Sequence, residues 1–211
     1  MKKALIIVDL QKDFMEGGSL AVSGANDKYV DIVSDLIESP EYAEVIFTQD
    51  WHPKKMDGFA SSHEGKKPFE SYTTSKGQKD TLWPDHCIAE SYGAMIHEGI
   101  NLDLIQKDIY FFKKGLEIDH HPYSAFDGTG LSFFLQERGV DEVYIVGLAL
   151  DYCVKDTAID SAMKGFETIV VIDATRPIAQ DAEGLADTFI SFMDAKVRVI
   201  ESWEMPMYNF Y

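Results

Sequence analysis

Short apolar blocks recur along the chain, at Ala4–Val8, Val45–Phe47, Ile109–Phe112, Val143–Val146, Ile169–Ile172 and Val197–Ile200. They are rich in Val, Ile, Phe and Tyr, and most show no polar alternation. Strands buried on both faces, as in a parallel sheet, read this way. Between the blocks lie stretches with helical spacing. Tyr29–Ile37 places Val30, Val33, Leu36 and Ile37 on one stripe, with Pro40 as a stop beyond it. Leu131–Glu137 runs towards Gly139, and Val154–Met163 towards Gly165, glycines placed to terminate helices. Ala182–Met193 is the last such stretch. The repeated strand–helix order predicts an α/β fold, a three-layer sandwich of a mostly parallel six-stranded sheet with helices on both faces.

Two segments break the rhythm. Residues 53–99 are long, polar and rich in Gly, Pro, Ser and His, and 115–130 form a shorter interruption. Long irregular segments inside a compact domain commonly carry function. No internal repeat or linker divides the chain, so one domain over 1–211 is expected, with the loop insertion at about 53–99.

Composition narrows the partners. The net charge of −17 repels phosphate backbones and anionic headgroups, which argues against nucleic acid and membrane surfaces and is compatible with a small neutral substrate. The two cysteines, Cys87 and Cys153, do not make a disulfide framework for 211 residues and read as free thiols in a reducing compartment. The first apolar run stops at Asp9 without a small-residue cleavage site, so it reads as a strand and not as a signal peptide. A cytoplasmic protein is expected. The oligomeric state is left open, a homodimer included.

The polar residues follow the strands in a consistent way. Asp9 ends the first block, Asp50 and His52 follow the second, Lys113 and Lys114 end the third, and Cys153 follows the fourth. In a parallel sheet all strand C-termini lie on one edge, where ligands bind at the point of strand-order reversal. Cys153 opens a predicted helix, whose dipole favours a thiolate. Asp9 could take the thiol proton and return it to a leaving ammonia. One of the two lysines could keep that aspartate ionised. Asp50 and His52, two apart, point the same way in an extended segment, and His86 could return to them along the loop. One carboxylate and two imidazoles suit Zn, Fe or Mn, and His63 is a further candidate ligand or partner of a ligand. The aromatic faces of Phe14, Trp83 and Tyr123, beside these motifs, could sandwich a flat heteroaromatic ring.

The segments IVDLQKDFMEGGSLAV, TQDWHP, WPDHC, KG followed by YSAF, and GLALDYCV resemble, in this order, the nicotinamidases of the isochorismatase-like cysteine hydrolases. The resemblance implies a catalytic triad of Asp9, Lys114 and Cys153, with Lys114 chosen because the family lysine directly precedes the glycine. It implies one divalent metal ion, Zn first and Fe or Mn as alternatives, on Asp50, His52 and His86. Phe14 and Trp83 would flank the substrate ring, with Tyr123 close by. Backbone N–H groups of Ala149 and Cys153 would form the oxyanion hole, with a cis peptide before Ala149. The implied reaction is hydrolysis of nicotinamide to nicotinate and ammonia through a thioester, as in NAD salvage, with pyrazinamide as a second substrate. Leu150 departs from the family pattern, which has a threonine there. The alternatives are another amidase or isochorismatase-like hydrolase, and a non-enzymatic α/β regulatory or binding module.

Overall fold

The computed structural model describes residues 1–205. In chain order the strands are β1 (Lys3–Val8), β2 (Glu44–Asp50), β3 (Ser71–Thr73), β4 (Lys79–Thr81), β5 (Ile109–Lys114), β6 (Glu142–Leu148), β7 (Glu167–Arg176) and β8 (Arg198–Ile200). The helices are α1 (Asp27–Glu38), α2 (Leu131–Glu137), α3 (Lys155–Met163) and α4 (Ala182–Ala195). Six strands form one sheet in the order β5-β2-β1-β6-β7-β8, and every neighbouring pair is parallel. The expected architecture is present, with each apolar block on a strand of this sheet.

The solid apolar blocks follow from burial on both faces. In β1, Ala4, Ile6 and Val8 join the core beneath α2, α3 and α4, while Leu5 and Ile7 join the core beneath α1. The central strands β2 and β6 are buried at every position. Burying one such aliphatic or aromatic side chain stabilises the fold by about 1.5–3 kcal/mol, so these strands hold the molecule together. The helix α1 buries Tyr29, Val30, Val33, Leu36 and Ile37, and Asn26 caps it by accepting from the Tyr29 N–H. The helices α2 and α3 are followed by Gly139 (φ 63°) and Gly165 (φ 92°), left-handed positions that suit glycine.

The chain leaves β1 for β2 and then β5 on one side, and returns to β6 on the other. Strand order therefore reverses between β1 and β6, and a crevice opens above their C-terminal ends. At the sheet edge Asp50 of β2 is the direct register partner of Lys114 of β5.

The segment 53–99 is folded against this edge. It contains the antiparallel β3–β4 hairpin, which the apolar pattern did not reveal. Gln11 fastens it: its side-chain amide donates to the carbonyls of Asp50 and Ala94, both at 2.8 Å, and its Oε1 accepts from the Asp50 N–H. Asp13 accepts from the Cys87 N–H at 2.7 Å. Among the described residues, no helix is long and apolar enough to cross a membrane.

Candidate active site

Asp9, Lys114 and Cys153 come from three different strand ends and meet in the crevice. Asp9 follows β1 with φ 48° and is fully buried. Its Oδ1 accepts from Thr48 Oγ1 at 2.7 Å, and its backbone N–H donates back to the same hydroxyl. Lys114 Nζ lies 3.0 Å from Asp9 Oδ2, 2.5 Å from Asp50 Oδ1 and 3.3 Å from Cys153 Sγ. Lys113 points the opposite way and lies over the Trp51 ring at the surface. Strand alternation thus puts Lys114 alone of this pair into the crevice.

The charges in this cluster are unequal. Burial opposes the Lys114 charge, but Asp50 and Asp9 outweigh it and hold the lysine well above its usual range. Burial also opposes ionisation of Asp50, yet Lys114 and then His52 keep its carboxyl well below the usual range. For Asp9, burial wins over Lys114 and raises its pKa. One lysine between two carboxylates therefore separates an ionised Asp50 from a more basic Asp9. Burial likewise pushes the Cys153 thiol well up, with Lys114 opposing and both aspartates adding to the rise. Burial and the two carboxylates thus oppose the thiolate that the start of a helix favours. Cys153 sits in a single π-helical turn, Leu150–Val154, that leads into α3, and the dipole of that helix is too weak to offset desolvation and two nearby carboxylates. The sulfur enters the site as a thiol and needs a base, and Asp9 is the more basic carboxylate beside it.

A second cluster adjoins the first through Asp50. Ligating atoms of Asp50, His52, His86 and His121 all lie within 4.8 Å of one another. His52 Nδ1 faces the Gly115 carbonyl at 3.0 Å, and His86 Nδ1 faces the Pro84 carbonyl at 2.7 Å. A carbonyl only accepts, so each Nδ1 carries a proton and each Nε2 is the nitrogen that would serve as a ligand. His52 Nε2 is buried without a hydrogen-bond partner among the described residues, 3.4 Å from Asp50 Oδ2. A metal ion between that nitrogen and Asp50 Oδ2 would give both a partner. Burial, reinforced by His52, lowers the His86 pKa to about 4 and leaves that imidazole neutral. The donor set fits a divalent metal ion on these grounds. Gly115, at φ 69°, allows the close approach of His52: a Cβ there would lie 2.3 Å from His52 Cε1. His63 lies outside this set. Its Nε2 is bonded to the Asp57 carbonyl at 2.6 Å, in a part-exposed loop. His121 takes part instead, and the sequence reading did not single it out.

Aromatic side chains line the same region. Phe14 packs against His86 with ring centroids 5.4 Å apart. Trp83 Nε1 donates to Tyr123 Oη at 3.0 Å, and that hydroxyl donates to Asp80 at 2.8 Å. Tyr152, next to the thiol in sequence, meets Trp83 edge-on at 4.9 Å and completes an aromatic wall. The peptide between Leu148 and Ala149 is cis. Leu150, where the family pattern has threonine, is buried in the core beneath α3. The turn is ordered without a hydroxyl there: the Ala149 carbonyl accepts from Tyr152 and Val154, and the Asp151 carboxylate accepts from the N–H groups of Ile178 and Ala179.

The sequence profile of the isochorismatase domain matches residues 3–204, nearly the whole chain. The chain belongs to the isochorismatase family. Within that family it is 41% identical over 181 residues to the nicotinamidase of Acinetobacter baylyi, covering 83% of this chain and 81% of that one. The structure of the yeast nicotinamidase bound to the inhibitor nicotinaldehyde superposes with a TM-score of 0.88 at 34% identity, covering 95% of this chain and 100% of that one. The structure of the pyrazinamidase of Pyrococcus horikoshii in complex with zinc gives 0.76 at 30% identity, covering 95% and 99%.

Proposed function

We propose that this isochorismatase-family enzyme hydrolyses nicotinamide to nicotinate and ammonia, and also accepts pyrazinamide, with Cys153 as nucleophile. One observation carries the reading. A buried acid–lysine–thiol cluster and a carboxylate–imidazole cluster share Asp50, whose Oδ1 contacts Lys114 while Oδ2 faces the imidazoles. That arrangement sets a nucleophile beside a site able to hold a ring nitrogen. The named relatives act on, or are bound to, such small aromatic compounds.

In this mechanism Asp9 takes the Cys153 proton and the sulfur forms a bond to the amide carbon. The carbonyl π-electrons move to oxygen, where the N–H groups of Ala149 and Cys153 stabilise the negative charge. Asp9 passes the proton to the departing nitrogen. The C–N bond breaks, ammonia leaves, and a thioester remains. Asp9 then removes a proton from water, which attacks the thioester and releases nicotinate, and the thiol is restored. Lys114 orients Asp9 and offsets the charge that develops on sulfur. Phe14, Trp83 and Tyr123 hold the ring by its faces and edge. A divalent ion, zinc first among the candidates, on Asp50, His52 and His86 would bind the ring nitrogen and fix the ring's position. Two free, buried cysteines support a reducing, cytoplasmic setting.

The test is ammonia release from nicotinamide by wild type and Cys153→Ala, before and after chelation. Turnover should be lost in Cys153→Ala, and the wild type should trap a nicotinoyl adduct of Cys153 visible by mass spectrometry. Substantial turnover by the alanine variant would rule out the covalent route.

A further inference from the structure

His120 and His121 are adjacent, yet the structure sends them to opposite sides. His120 Nε2 pairs with Asp127 at 2.8 Å on the surface. His121 turns inward, with its ring centroid 5.0 Å from that of His52 and 6.1 Å from that of His86. Its Nδ1 is buried and has no hydrogen-bond partner among the described residues. Gly58 leaves the room it needs, since a Cβ there would come within 3.1 Å of that nitrogen. On its other side the ring packs against Tyr123 at 4.8 Å. The next residue, Pro122, presents its carbonyl to Lys114 Nζ at 3.4 Å.

We propose that His121 is a fourth protein ligand of the metal centre, a role that rests on the reading of Asp50, His52 and His86 as ligands. Two donors held at about 2.1 Å from one ion are between roughly 3.0 Å and 4.2 Å apart. The four donor atoms already lie within 4.8 Å of one another, so no pair needs to draw in by more than about 1.8 Å on binding. Three imidazoles and one carboxylate shift the preference from oxygen-seeking ions such as Mg towards Zn, Co and Fe. Together they would supply four protein donors to the ion. His121 sits in the 115–130 loop that carries Tyr123, so an ion held there would tie that loop to the insertion that carries His86.

The experiment compares wild type, His121→Ala, His121→Asp, His86→Ala and His63→Ala, each stripped of metal and reloaded with cobalt(II). Affinity is read by chelator competition, the ligand field by visible absorption, and order in the 115–130 loop by amide hydrogen exchange. His121→Ala should weaken cobalt binding by about 10–100-fold, alter the absorption bands and abolish the metal-dependent protection of the loop. His121→Asp, which keeps a ligating oxygen, should recover part of the affinity with shifted bands, and His63→Ala should match wild type. If His121→Ala retains affinity and bands while His86→Ala loses both, His121 is not a ligand and the three-residue site stands. If His86→Ala also binds cobalt as wild type does, the metal reading itself falls and this inference with it.

Discussion

Replacing Lys114 by Met removes the ammonium between Asp9 and Asp50 while keeping much of the side-chain volume. The two carboxylates then face each other with oxygens inside 4.8 Å. At an effective dielectric of about 20, two charges at that separation repel by roughly 3.5 kcal/mol. The protein can avoid this by protonating Asp9, whose pKa is already raised by burial. At pH 7 that costs about 1.4 kcal/mol for each unit above the ordinary carboxylate value of 3.8, or roughly 4 kcal/mol. The two routes agree, and both match the 3–5 kcal/mol typical of a buried pair that loses one partner. The sign of the pH dependence follows. The folded variant holds a proton that the unfolded chain releases above 3.8, so its stability rises as pH falls towards that value. At pH 5 the deficit should shrink to roughly 1.6 kcal/mol. In wild type, Lys114 opposes the rise in the Asp9 pKa, so the dependence is shallower. Urea denaturation of metal-free wild type and Lys114→Met, followed by circular dichroism at both pH values, measures the difference. A deficit below about 1 kcal/mol at pH 7, or one that does not shrink at pH 5, would refute the electrostatic account.

Two further substitutions probe the supports of the site. Gly115→Ala would place a methyl 2.4 Å from His52 Nδ1 at a φ of 69°, displacing the ring and breaking its bond to the Gly115 carbonyl. Backbone strain of about 1–2 kcal/mol and a 10–100-fold loss of metal affinity are expected, read by urea titration and chelator competition. Wild-type affinity would show that His52 does not need this approach. Asp151→Ala removes the acceptor for the Ile178 and Ala179 N–H groups, held at 2.9 Å and 2.8 Å. A loss of about 1.5–3 kcal/mol is expected, with faster amide exchange at those two positions. Unchanged exchange there would mean that the turn is ordered by other contacts.

The fold was legible because a parallel sheet buries both faces of its strands, which turns each central strand into an unbroken apolar run. Every residue of β6 is buried, and its sequence could hardly be read otherwise. The β3–β4 hairpin was illegible for the opposite reason: Ser71–Thr73 and Lys79–Thr81 are short, polar and largely exposed. Asp9, Asp50, Cys153 and the Lys113–Lys114 pair could be placed on one edge because strand ends fix where they go, while the choice of Lys114 came from the family resemblance. The loop histidines have no such guide. Of six histidines, the chain path through 53–99 and 115–130 decides which turn inward, and no local pattern distinguishes His121 from His63. The protonation state of Cys153 was also beyond local reasoning. Its position at a helix start is visible in sequence, but the desolvation and the two carboxylates that outweigh it are assembled from distant segments.

The direct pairing of Asp50 with Lys114 has a consequence for how the edge of the sheet folds. Among the described residues strand β5 has a neighbour on one side only, so its alignment rests on β2. Sliding an edge strand by one residue turns every side chain to the opposite face. The chain contains a lysine for either alignment, Lys113 or Lys114, so a slipped strand would still offer an ammonium to the crevice. It would, however, set Lys113 beside Asp50 and bring the exposed face of β5 inward, including Phe111, which stacks on Phe47 in the native pairing. The buried ion pair and this aromatic contact reject that alternative together. The Asp50–Lys114 pair beside Cys153 thus also acts as a proofreading contact for strand β5.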